Sequence, residues 1–115
     1  MPMRLVKDKI TRAELEDLAK ERFGDLVKAV VDVEKEIMVV DGELHADEET
    51  FLIEQGSNQK NLWGINLRFD KPLEDWIEFD SMINLRPSQG NRSRGVDDPA
   101  IQKRIITIVK KLVSD

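Results

Sequence analysis

The chain contains no cysteine. Disulfides, thiolate zinc sites and cysteine nucleophiles are therefore excluded, and a reducing compartment suits such a composition. Histidine occurs once, as His45, so chemistry that needs a side chain titrating near neutrality falls to that residue. No apolar run approaches the roughly 18 residues of a membrane span. The opening stretch, MPMRLVKDKI, lacks the continuous apolar core of a signal peptide. Internal repeats, linkers and low-complexity tracts are missing, as are phosphate-loop spacing and G-x-G-x-x-G. A net charge of −5 argues against a surface that coats nucleic acid, while leaving room for a local basic patch. The expectation is a cytoplasmic protein with no membrane segment.

With 115 residues, 40% apolar and 36% charged, the chain has the size and composition of one globular domain spanning residues 1–115. Such a chain buries roughly two thirds of the surface it exposes when unfolded, enough for one core.

Local signals set out the elements. Thr11 and Glu14 form an S/T-x-x-E capping box, with Ile10 and Leu15 placed as a hydrophobic staple. Leu15, Leu18, Ala19 and Phe23 repeat at helical spacing up to Gly24. Residues 26–33 are valine-rich and read as a strand covered on both sides for part of its length. Residues 37–40 form its hairpin partner. Asp41-Gly42 is a further hairpin signal, which allows a short third strand over 43–45. Residues 47–55 read as a helix capped by Asp47, with strand over 50–54 as the alternative. Residues 62–69 alternate as a strand with Trp63, Ile65, Leu67 and Phe69 inward. Residues 76–86 read as the longest strand, with Ile77, Phe79, Ile83 and Leu85 inward, ended by Pro87. Asp98 and Pro99 open a last helix with Ile101, Ile105, Ile108, Val109 and Leu112 on its buried stripe. The order α-β-β-(β)-α-β-β-α predicts an α+β fold. Its antiparallel sheet has four to five strands, and the N- and C-terminal helices pack on one face.

Three groups of residues could carry function. The first is the loop over residues 86–95, where Arg86, Arg92 and Arg94 offer about fifteen N–H donors in rigid forks. Ser88, Asn91 and Ser93 add neutral donors, Asn84 frames the loop, and Gly90 and Gly95 permit tight turns. The functional reading is a site for an anionic small molecule, phosphate or a nucleic-acid segment. The competing reading has these arginines paired with the protein's own acids, such as Glu78, Asp80 or Asp97. The second group is Glu43, His45 and Asp47, which share a face if extended. They could hold a divalent metal, or serve as an acid/base set together with Asp80 in a small hydrolase or nuclease. The competing reading is a single histidine satisfied by a neighbouring carboxylate or a capping contact. The third group is the polar strand face of Asn66, Arg68, Glu78, Asp80, Asn84 and Arg86, set against a merely solvated surface. A protein-interaction module, with the polar loop ordering against a partner chain, is a further alternative.

The strings GELHADEE at 42–49, LWGINL at 62–67 and IEFDSMINLRPSQGNRSRGVDDP at 77–99 resemble a family of small, single-domain prokaryotic proteins of unknown function. The resemblance implies a free-standing cytoplasmic protein. It assigns no activity and no site residues.

Overall fold

In the computed structural model, residues 3–72 and 75–114 are described. Strand β1 (Arg4–Val6) and the short β2 (Ile10–Thr11) lead into helix α1 (Arg12–Arg22). Strands β3 (Leu26–Asp32) and β4 (Ile37–Val40) follow, then helix α2 (His45–Glu54), strand β5 (Leu62–Arg68) and the brief β6 (Ile77–Glu78). Helix α3 (Pro99–Leu112) and β7 (Val113–Ser114) complete the chain. The main sheet is antiparallel, in the order β1-β4-β3-β5-β6, and β2 pairs with β7 in a small parallel ladder. The expected α+β class and the helices at both ends are found. Among the described residues, no helix is long and apolar enough to cross a membrane.

The alternation along the strands produces two unequal faces. Val27, Ala29 and Val31 of β3, Met38 and Val40 of β4, and Trp63, Ile65 and Leu67 of β5 point one way. They pack against Leu15 and Ala19 of α1 and Ile105, Ile108, Val109 and Leu112 of α3. Each fully buried Leu, Ile or Val contributes roughly 1.5–3 kcal/mol, so this layer dominates stability. The other face buries Val30, Val39 and Leu62 against Leu52 of α2. It also carries polar residues, and a polar cleft lies there.

The helix ends follow the local chemistry. The Thr11 hydroxyl accepts from the Glu14 N–H, and the Glu14 carboxylate accepts from the Thr11 N–H. Gly24 takes φ of 93° as α1 ends, a conformation that costs glycine nothing. Asp98 caps α3 by accepting from the Ala100 N–H at 2.9 Å, with Pro99 in the first helical position.

Several expectations are corrected. Before α1, a strand that the local signals did not mark, β1, pairs with β4 and forms one sheet edge. No strand forms over 43–45. Asp41, at φ of 69°, turns the chain away from the sheet, and the Gly42 N–H is held by the Glu48 carboxylate at 3.0 Å. Helix α2 consequently begins at His45, with Leu44 rather than Asp47 at its N-cap. Trp76, before β6, lies in the main core, its ring centroid 5.5 Å from that of Phe69.

The largest correction concerns residues 76–86. Only Ile77 and Glu78 pair with β5. The apolar alternation breaks at Ser81, whose hydroxyl accepts from the Ile83 N–H and starts a 3₁₀ turn over Met82–Asn84. Serine and asparagine side chains offer the backbone local partners that compete with a strand ladder. Asn84, expected on an outward face, is fully buried.

Gly64 is where this segment touches β5. A Cβ there would stand 2.6 Å from both Cβ and Oγ of Ser81 and 3.2 Å from Cδ2 of His45. Gly64→Ala should therefore lower stability by about 1–3 kcal/mol, as overpacking does. Urea denaturation measures this, and an unchanged midpoint would show that the contact is loose.

Candidate functional site

The loop after β6 is built by asparagine side chains. The Asn84 Oδ1 accepts from the Gly64 N–H at 2.9 Å, and its Nδ2 donates to the Gly64 carbonyl at 3.0 Å. One carboxamide thus pairs both backbone groups of β5 where β6 no longer reaches. The same Nδ2 donates to the Arg94 carbonyl at 2.9 Å, which also accepts from the Ser81 N–H. Asn91, likewise buried, donates to the carbonyls of Asn84, Ser93 and Gly95 and accepts from the Asp97 N–H. Hydrogen bonds of this kind are each worth about 0.5–1.5 kcal/mol net, and more is lost when a buried partner is orphaned.

The three loop arginines have different fates. Arg86 is an internal clamp: it donates to the carbonyls of Ile83, Gln59 and Leu62 and lies 4.5 Å over the Trp63 ring. Burial lowers its pKa. Arg94 pairs with Asp80, Nε to Oδ1 at 2.8 Å. Arg92 stands exposed, with no side-chain hydrogen bond among the described residues, and Ser88 does likewise. The Ser93 hydroxyl donates to Asp97, whose carboxyl is held below its ordinary pKa by that bond and by the Arg92 N–H. Arg68 is ringed by Asp25, Asp70 and Glu78.

His45, Asp80 and Arg94 meet in one cleft of about 240 Å³, lined also by Lys28, Asn66 and Ser81, with Leu44, Ala46, Met82 and Ile83. Residues far apart in sequence converge because β3, β5, the first turn of α2 and the segment after β6 share the second sheet face. Glu43 and Asp47 do not join them. Once α2 begins at His45, the period of two is lost, and Glu43 and Asp47 line a separate hollow with Arg22 and Asp41. Arg22 is paired there with Asp41 and Glu43. Among the described residues, no group of three or more His, Asp or Glu side chains is placed to hold a metal ion.

The chemistry of His45 follows from its contacts. Its Nε2 lies 2.7 Å from the Ile65 carbonyl. A carbonyl can only accept, so Nε2 carries the proton and Nδ1 keeps a lone pair. The Nε2–Cδ2 edge faces β5, so the opposite vertex, Nδ1, lies away from that strand and has no hydrogen-bond partner among the described residues. Burial pushes the His45 pKa down, Lys28 and Arg94 add to this, and the Ile65 carbonyl and Asp80 oppose it. The ring is thereby kept neutral at physiological pH.

Beside it, the α2 N-terminus is uncapped. Leu44 has no side chain able to accept a hydrogen bond, and no acceptor meets the His45 or Ala46 N–H among the described residues. Lys28, on β3, has no carboxylate within 4.0 Å of its Nζ among them and lies 5.1 Å over the Phe23 ring. Lys28 and the first-turn amides went unnoticed in the sequence. The signal for Lys28 was present, since it is the one charged residue amid the apolar run of β3, on the same face as Val30.

Glu48 is buried behind this turn. Its Oε2 accepts from Gly42 and its Oε1 has no partner, and burial raises its pKa well above the ordinary value. Burial thus disfavours a negative charge on Glu48, while Asp47 is the other acid of the first turn.

The fold and cleft define a small α+β protein with one polar, partly cationic cleft on the second face of its sheet. The family model described as "Protein of unknown function (DUF5674)" matches residues 4–112, and the chain belongs to that family. No curated protein and no solved structure matches the chain.

Glu48 sets a pH dependence. The unfolded chain releases this proton near the ordinary 4.5, whereas the folded chain holds it to higher pH. Folding therefore loses stability from this group as pH rises above that value, by at most about 1.4 kcal/mol per unit, until the folded form also ionises. Glu48→Gln should remove that slope, so the variant gains on the parent as pH rises. Parallel pH–denaturation curves for the two proteins would contradict it.

Proposed function

We propose that this protein is a binding module for a small anionic ligand, held in the cleft at the N-terminus of α2. The observation that supports this most is the uncapped first turn of α2 beside two cations, Lys28 and Arg94. Free N–H groups at a helix start favour an anion through both hydrogen bonding and the helix dipole. The arginine loop contributes one ligand-facing cation, Arg94. Asn84 and Asn91 hold the backbone that carries it, Arg86 is committed to Trp63 and backbone carbonyls, and Ser88, Arg92 and Ser93 lie outside the cleft lining. Two cations in a bounded cleft on an acidic protein suit a small molecule better than a run of nucleic-acid backbone. The absence of cysteine supports a cytoplasmic setting.

A second reading has one specific observation in its favour. A neutral His45, pinned at Nε2 and open at Nδ1, with Asp80 near enough to affect its titration, has the form of a general base. Acid/base hydrolysis through His45 and Asp80 remains an alternative for the same cleft, without Asp47.

Titration with acetate and inorganic phosphate at low salt should move the amide NMR signals of His45 and Ala46. Lys28→Ala and Arg94→Ala should each weaken binding about tenfold or more, as loss of a charge-assisted bond does, whereas Arg92→Ala should not. Unmoved His45 and Ala46 amides would end the proposal.

A further inference from the structure

The cleft carries two features that a plain anion site does not need. Leu44 and Met82 flank it and are among the most exposed large apolar residues described, at 55% and 63%. Ala46 and Ile83 continue this apolar wall. Isolated exposed side chains are ordinary, but these belong to the lining of one cleft and stand on both sides of its mouth: Leu44 before α2, Met82 on the turn after β6. The second feature is an excess of hydrogen-bond acceptors. His45, nine-tenths buried and lining the cleft, has an Nδ1 with no partner among the described residues. Asn66, also more than nine-tenths buried and lining the cleft, has an Oδ1 with no donor.

The charge balance restricts the anion. Lys28 and Arg94 are cationic, but Asp80 lines the same cleft and already pairs with Arg94. Glu78, held by Asn66 at 2.9 Å, adds a second carboxylate nearby. One net positive charge, with carboxylates close by, suits a monoanion and disfavours a phosphate dianion, because like charges repel strongly where water is partly excluded.

We infer that the ligand of this cleft is a carboxylate that bears an apolar group and, next to it, an N–H donor: an N-acylated apolar amino acid, either free or as the last residue of a peptide chain. This rests on the anion-site reading above. The carboxylate meets the His45 and Ala46 N–H groups, Lys28 and Arg94. The adjacent N–H donates to His45 Nδ1, and the apolar side chain lies against Leu44 and Met82. Recognition thus combines one charge, one donor and one apolar contact; the first-turn amides and His45 Nδ1 have no other partner among the described residues, while Arg94 is shared with Asp80.

Calorimetric titration of the full chain at neutral pH and low salt tests this. The ligands are N-acetyl-leucine, its carboxamide, acetate, inorganic phosphate and a tetrapeptide ending in leucine with a free carboxylate. N-acetyl-leucine is expected to bind at least tenfold more tightly than acetate, and its carboxamide at least tenfold more weakly than the acid. The Leu44→Ala, Met82→Ala double variant, which adds no capping group at position 44, should lose most of that preference for N-acetyl-leucine over acetate while keeping its acetate affinity, which also shows that it is folded. A tetrapeptide tighter than N-acetyl-leucine identifies a peptide terminus as the source, and a weaker one identifies the free acid. Phosphate binding tighter than N-acetyl-leucine, or equal binding of the acid and its carboxamide, would overturn the inference. Phosphate binding would leave the anion site standing, whereas binding of no anion at all would remove that reading as well.

Discussion

The carboxamide of Asn84, closed on the backbone of Gly64, is the constraint on which the polar side of this molecule depends. An unpaired N–H and C=O on a buried strand would be costly. A continued β6 would satisfy them with backbone, but it would also fill the second sheet face. Asn84 satisfies them with one side chain, and the chain is free to leave the sheet after Glu78. Its remaining hydrogen bond fixes the Arg94 carbonyl, which sets Arg94 above the cleft. Gly64 is the necessary counterpart, since a side chain there would occupy the space of Ser81 and His45. The absence of one Cβ and the presence of one amide together make room for the cleft and position its wall.

The two faces of the sheet divide the work. The α1/α3 face is almost wholly apolar and supplies most of the folding free energy. That surplus lets the α2 face carry features that weaken a fold: an apolar N-cap, a buried carboxyl with an orphan oxygen, and an asparagine oxygen without a donor. A Ser, Thr, Asn or Asp at position 44 would stabilise α2 by about 1 kcal/mol. It would also occupy the amides that an anion could use, and Asp would set a negative charge among them. These departures gather around the first turn of α2, beside the cleft, and breaks in locally consistent chemistry of this kind recur at functional sites.

The elements legible in the sequence were those with strong local chemistry. The capping box at Thr11, the Asp98-Pro99 start and the alternation of β5 all correspond to what the chain adopts. Residues 76–86 depart from the expected strand because Ser81 breaks the apolar alternation and Asn84 hydrogen-bonds the backbone, both of which favour a turn. The arginine loop drew attention by its composition, yet Arg86 serves Trp63 and three backbone carbonyls, a use that no spacing discloses. His45, Asp80 and Arg94 were all recognisable as candidates. Their meeting was not, because it depends on strand order and on where β6 stops. Lys28 was hidden by its setting in a strand that reads as pure core.

Hydrogen exchange at the Gly64 amide tests the account most directly. Among the main-sheet strands β6 is two residues long and pairs with Asn66 and Leu67, so only the Asn84 side chain protects this N–H. Exchange at Gly64 should be as slow as at its strand neighbours Ile65 and Leu67, and in Asn84→Ala it should accelerate far more than theirs. A Gly64 amide that exchanges rapidly in the parent protein, like an open sheet edge, would contradict the central claim.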